Sequence, residues 1–89
     1  EESAVMNDRI LLTIIAPSVQ LSMDVAVAPI ISGDELCRIC AQWIEEKSHK
    51  RYIAYSGSIL LRKRTQSVFA GTQTLSVRNV ENNEVFYLF

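Results

Sequence analysis

One stretch constrains the architecture more than any other. Ser32-Gly33-Asp34-Glu35 has the form of a helix start. A hydroxyl at the N-cap and a carboxylate three residues later make a capping box, each side chain satisfying one orphan backbone amide. Asp34 adds negative charge where the helix dipole is positive. Behind it come Leu36, Ile39, Cys40, Trp43 and Ile44, the stripe of one helical face. Lys47 sits near the far end, where a cation is favoured. The spacing predicts a helix over 33–47, with Trp43 in its core-facing stripe. A lone amphipathic helix must bury that stripe against something, and its neighbours in sequence read as strands.

Ile10 to Ala16 is β-branched and apolar, with Ile10, Leu12 and Ile14 on one face and Leu11, Thr13 and Ile15 on the other. Pro17-Ser18 signals a turn. Leu21, Met23, Val25 and Val27 then alternate with Ser22, Asp24, Ala26 and Ala28, the pattern of a half-buried antiparallel strand. The short link predicts a hairpin, and Pro29 ends it. Beyond the helix, Ile59–Lys63 and Val68-Phe69 read as strands. Tyr52, Ile53 and Tyr55 are expected to cover one end of the core. Leu75–Val80 reads as a short helical or irregular piece, and Asn82-Asn83 as a tight turn. Glu84–Phe89 closes as a strand with Phe86 and Leu88 on one face and Val85, Tyr87 and Phe89 on the other. A helix across a mixed sheet is the α+β solution. Ile10–Ile15, the most apolar strand, belongs in the centre, with the last strand beside it. This predicts a β-grasp of four to five strands and one main helix.

With 89 residues there is room for one core, taken as residues 6–89. Glu1–Val5 is expected to be an expression remnant or a disordered N-terminus, with Met6 a candidate start. No apolar run is long enough to span a bilayer, and the acidic N-terminus lacks the basic region of a signal peptide. Direct membrane insertion is therefore not expected, and a cytoplasmic location is.

The residues give little support for catalysis. Cys37 and Cys40 have a C-x-x-C spacing that invites redox or zinc readings. There is no second cysteine pair, and the lone His49 leaves a zinc site short of ligands. Small packing residues are the expected role. His49 lies in the cationic run Lys47-Ser48-His49-Lys50-Arg51 and reads as a solvated loop residue. Glu45 and Glu46 are adjacent on the helix, point apart and suit water. No phosphate-cradling glycine loop is present. Neither enzyme activity nor a metal or other cofactor is expected.

Charge is uneven, though the net value is only −1. From Lys47 to Arg78 there are seven basic residues and no acid. Arg62, Lys63 and Arg64, joined by Lys50 and Arg51, are a candidate basic surface for steering a partner. The candidate apolar surface is the outer sheet face: Leu11, Ile15, Leu60, Val85, Tyr87 and Phe89. Nucleic acid is not the expected partner, because the sequence pI is about 5.8 and no aromatic platforms interleave with the charges.

The second half carries a family resemblance. Val68-Phe69-Ala70-Gly71, Thr74-Leu75-Ser76, Asn79-Val80 and Asn83-Glu84 precede the apolar final strand. This resembles the C-terminal part of ubiquitin-like domains, where a glycine turn leads to Thr-Leu-Ser, a short turn with an aliphatic residue, and the last strand. In that pattern Leu75 plugs the core and Val80 anchors the turn. Among such proteins the chain looks most like the YukD/EsaB-type proteins of Gram-positive type VII (ESX-like) secretion systems. The motif covers residues 59–89; over the first half only element order and apolar pattern agree. The resemblance implies a small non-enzymatic accessory or regulatory component. It would dock, as a monomer or a homodimer, to cytoplasmic parts of membrane-anchored machinery and so lie peripherally at the membrane's inner face. The ending Val85-Phe86-Tyr87-Leu88-Phe89 departs from the Gly-Gly tail of covalent modifiers and argues against conjugation. Alternatives are another β-grasp adaptor, a truncated ubiquitin-like carrier or modifier, or a nucleic-acid or small-ligand module.

Overall fold

The computed structural model describes residues 9–89. The expectations for Glu1–Val5 and Met6 lie outside them. Strands β1 (Ile10–Ala16) and β2 (Leu21–Val27) form the hairpin, joined by a 3₁₀ turn at Pro17–Val19. Helix α1 covers Gly33–Lys47, followed by β3 (Leu60–Arg62), β4 (Ser67–Val68) and β5 (Glu84–Leu88). The sheet order is β2-β1-β5-β3-β4. β1 and β5 run parallel in the middle, and every other pairing is antiparallel. This is the expected β-grasp, with the last strand beside the first.

Alternation in each strand separates the two faces. Leu12, Ile14, Val25, Val27, Leu60, Phe86 and Leu88 are buried with Leu36, Cys40 and Ile44 of α1 in one core. Phe69, Leu75 and Val80 are also buried, so the two anchors implied by the resemblance are in place. Phe69 packs edge-on against Phe86 with ring centroids 5.1 Å apart.

The start of α1 is stitched to the 69–76 segment. Ser32 Oγ accepts from the Glu35 amide at 3.1 Å, the hydroxyl half of the capping box. The Glu35 carboxylate lies 3.6 Å from Arg38 Nη2. Asp34 exchanges two hydrogen bonds with Gly71: its amide donates to Gly71 O at 3.0 Å, and its Oδ1 accepts from the Gly71 amide at 2.8 Å. Gly71 has φ +112°, a conformation that side chains rarely adopt. Gly33 lets this strap come close, since an added Cβ would stand 3.3 Å from the Ala70 carbonyl carbon and the Phe69 ring.

At the other end of α1, the Ser48 hydroxyl accepts from the Tyr52 amide at 3.0 Å. The Tyr52 hydroxyl lies 3.1 Å from Phe89 O as donor. Of the three residues expected to cover this end of the core, Tyr52 does so, whereas Ile53 and Tyr55 are exposed. Glu45 is not left to water: its Oε1 accepts from the Ala54 amide at 2.8 Å. Trp43 corrects the helical stripe, since it is 40% exposed. It lies at the stripe's margin, and Ile44 takes the buried position beside it.

Candidate docking surface

The face of the sheet away from α1 carries an apolar row in register. Ile15 on β1 pairs with Tyr87 on β5, Tyr87 with Leu61 on β3, and Leu61 with Val68 on β4. Ile59 and Phe89 exchange two backbone hydrogen bonds just beyond, at 3.1 and 2.9 Å. Val68 and Leu11 are each 51% exposed, Phe89 44% and Ile59 39%. Ile15, Leu61, Val85 and Tyr87 are half-buried. The sheet therefore presents an apolar surface that no other described segment covers.

Leu60 does not belong to it. Leu60 is fully buried and pairs with Leu88, so the register of β3 is one residue out of phase with the expectation. A slip of one position exchanges the faces of a strand, and Leu61 takes the outer place.

Arg62 is the second correction. It shares the inward phase of Leu60 and is buried, not displayed. Its guanidinium grips Glu84 in a bidentate pair, Nε to Oε1 and Nη2 to Oε2, both at 2.8 Å. Nη1 and Nη2 also donate to Arg78 O at 3.2 Å and Asn79 O at 3.1 Å. Arg64 Nη2 reaches Glu84 Oε2 at 3.2 Å and Asn79 O at 3.0 Å. Hydrogen bonds from Arg62 hold the Glu84 carboxyl below the usual carboxylate range, against the opposing effect of burial. The same bonds raise the Arg62 guanidinium pKa. Arg78 stacks over Phe69 at 4.1 Å from the ring centroid, closing the core on that side. The sequence did carry a signal for this: Arg62 and Glu84 keep the alternation of Leu60, Phe86 and Leu88.

The proposed basic group divides. Lys63 and Arg64 follow β3 at the Glu84 end of the sheet, Lys63 donating its amide to Val85 O at 3.0 Å. Lys50 and Arg51 lie beyond α1, and Arg51 Nη2 reaches Val19 O in the β1–β2 turn at 3.4 Å. The two pairs sit at opposite ends of β5, separated by roughly 13 Å of strand. Leu11 is also set apart from Tyr87, beside Asn82 and Asn83.

Among the described residues no three His, Cys, Asp or Glu side chains gather as a metal site. Burial pushes the Cys40 thiol up to about 12, and burial also raises Cys37, whose Sγ donates to Ser58 O at 3.3 Å. Both are held as thiols, the form without nucleophilic power. No helix of the described residues is long and apolar enough to cross a membrane.

No protein-family profile and no curated protein matches this chain. Solved structures do. The ubiquitin-like domain of Plasmodium falciparum Dsk2 superposes with TM-score 0.68 at 18% identity, over 90% of this chain and 95% of that one. The N-terminal ubiquitin-like domain of the 4931431F19Rik protein gives 0.63 at 13%, over 92% of this chain and 74% of the other. A chain of the MycP5-free ESX-5 inner membrane complex gives 0.64 at 12%, covering 92% of this chain and 21% of that longer one. The fold is a ubiquitin-like β-grasp.

Proposed function

We propose that this is a non-enzymatic docking protein that serves a type VII secretion system as an accessory or regulatory component on the cytoplasmic side. The carrying observation is the apolar row Ile15–Tyr87–Leu61–Val68, which crosses four strands and stays open to solvent. An open surface of this kind marks a protein contact. Lys63 and Arg64 stand at its Glu84 end, placed to steer a partner with acidic groups. The likeness to a chain of the ESX-5 inner membrane complex supports the choice of system, as does the resemblance carried by residues 59–89.

The test is capture of secretion-machinery components from solubilised membranes on the immobilised protein, read by mass spectrometry. Leu61→Asp should abolish capture. Lys63→Glu should weaken it, most strongly at low salt. Arg62 and Arg64 stay unchanged in these variants because both hold the buried Glu84 carboxylate. Capture that survives both changes would remove the outer face from the account. Capture of only unrelated proteins by the wild type would remove the secretion role.

A further inference from the structure

The sheet has two unlike edges. β4 is two residues long, and a short edge strand offers little to pair with. β2 is seven residues long, pairs with β1 at seven consecutive positions without a bulge, and contains no proline, lysine or arginine. Its exposed backbone groups follow from β1. Leu11 accepts from the Asn83 amide at 2.7 Å and donates to Asn82 Oδ1 at 2.9 Å. The backbone groups of Leu11, Thr13 and Ile15 thus turn toward β5, and those of Leu12 and Ile14 toward β2. Val25 and Met23, their partners, bond inward. The N–H and C=O of Ser22, Asp24 and Ala26 therefore point off the sheet, and no described group takes them up.

Side chains flank this edge on both faces. On the core face, Leu21 and Met23 are only half-buried. Cys37 and Glu45 on α1 face the 54–58 loop, through Ser58 O and the Ala54 amide. Trp43 lies roughly 160° round the helix from Ala41, which borders that loop, so it sits on the flank away from the loop and from the β3 side of the sheet into which the loop leads. On the outer face, Asp24 Oδ1 accepts from the Thr13 hydroxyl at 2.9 Å. No cation among the described residues pairs with Asp24. Between Arg9 and Arg38 the chain has no basic residue to supply one.

We propose that the β2 edge takes up an extended segment of a partner protein as a sixth strand. Its apolar side chains at alternate positions lie against Met23 and Trp43, and a lysine or arginine between them faces Asp24. The backbone edge supplies affinity, and the two faces supply specificity. A second copy of this chain is the poorer occupant, since pairing two β2 edges brings two Asp24 carboxylates onto one face without a cation. The inference uses a different surface from the outer apolar row and does not depend on it.

The test selects displayed random nonapeptides on the immobilised protein and then synthesises the commonest sequence. Selected peptides should alternate apolar residues with lysine or arginine. On binding, the amides of Ser22, Asp24 and Ala26 should shift and exchange at least tenfold more slowly. Ser22→Pro removes an outward N–H without touching the β1 ladder and should weaken binding tenfold or more, as should Trp43→Ala. Asp24→Lys should turn the selected charge acidic. Trp43→Ala and Asp24→Lys sit at exposed positions and keep the test decisive if Ser22→Pro unfolds. The proposal is overturned by failure to enrich any sequence, or by peptides that perturb the outer face and leave the edge amides unmoved. Affinity indifferent to Trp43→Ala overturns it too, as does a wild-type dimer that Ser22→Pro converts to monomer.

Discussion

Arg62 and Glu84 show how much one inward-facing polar pair decides. Removing a partner from a buried ion pair leaves the other charge stranded, which typically costs more than the intact pair contributes. Glu84→Gln should lower stability by about 3 kcal/mol at neutral pH, measured by urea unfolding. Because the Glu84 carboxyl sits below its ordinary value of 4.5 when folded, its contribution is complete above that value. It is lost as pH falls through the folded value. The wild type should lose stability across that acid range, and Glu84→Gln should show a flatter acid limb. An equally steep limb in the variant would assign the acid sensitivity to other carboxylates. The thiols give a second check. Cys40 should resist iodoacetamide at pH 8 until the protein unfolds, and Cys37 should react more slowly than a free thiol. Rapid native-state labelling of both would contradict their burial and protonation. Residue-level roles were only partly legible in the sequence. Charge type alone made Arg62 look like Lys63 and Arg64, whereas phase along the strand separates it from them.

At the scale of elements, the long periodic segments are legible in extent, whereas the short strands are legible in order but not in phase. The limits of α1 follow from Ser32, the acidic first turn and Lys47, and the structure has them at Gly33–Lys47. β1, β2 and β5 carry enough alternation to fix their faces. β3 has three residues, so its phase rests on one or two side chains, and Leu60 was set on the wrong face. Trp43 fell at the border of an apolar stripe, where hydrophobicity does not say which residue the sheet reaches. Ile44→Ala should therefore cost about 2–5 kcal/mol through lost burial and a cavity, and Trp43→Ala clearly less. Equal losses in thermal or denaturant unfolding would mean that Trp43 is core after all.

For the whole molecule, the decisive arrangement is the placement of β5 between β1 and β3. Phe86 and Leu88 enter the core, the Phe89 backbone bonds to Ile59, and Val85, Tyr87 and Phe89 face outward. One strand thus anchors the fold and lays out the face proposed for docking. The element order made this topology readable, since a central apolar first strand leaves the last strand a place beside it. The outer face was less readable, because it depends on the phase of β3. Native-state hydrogen exchange tests this placement most directly. The amides of Phe86 and Leu88 should exchange only through global unfolding, with free energies equal to those of Leu12 and Ile14. Exchange of the β5 amides at loop-like rates, while β1 stays protected, would contradict the account.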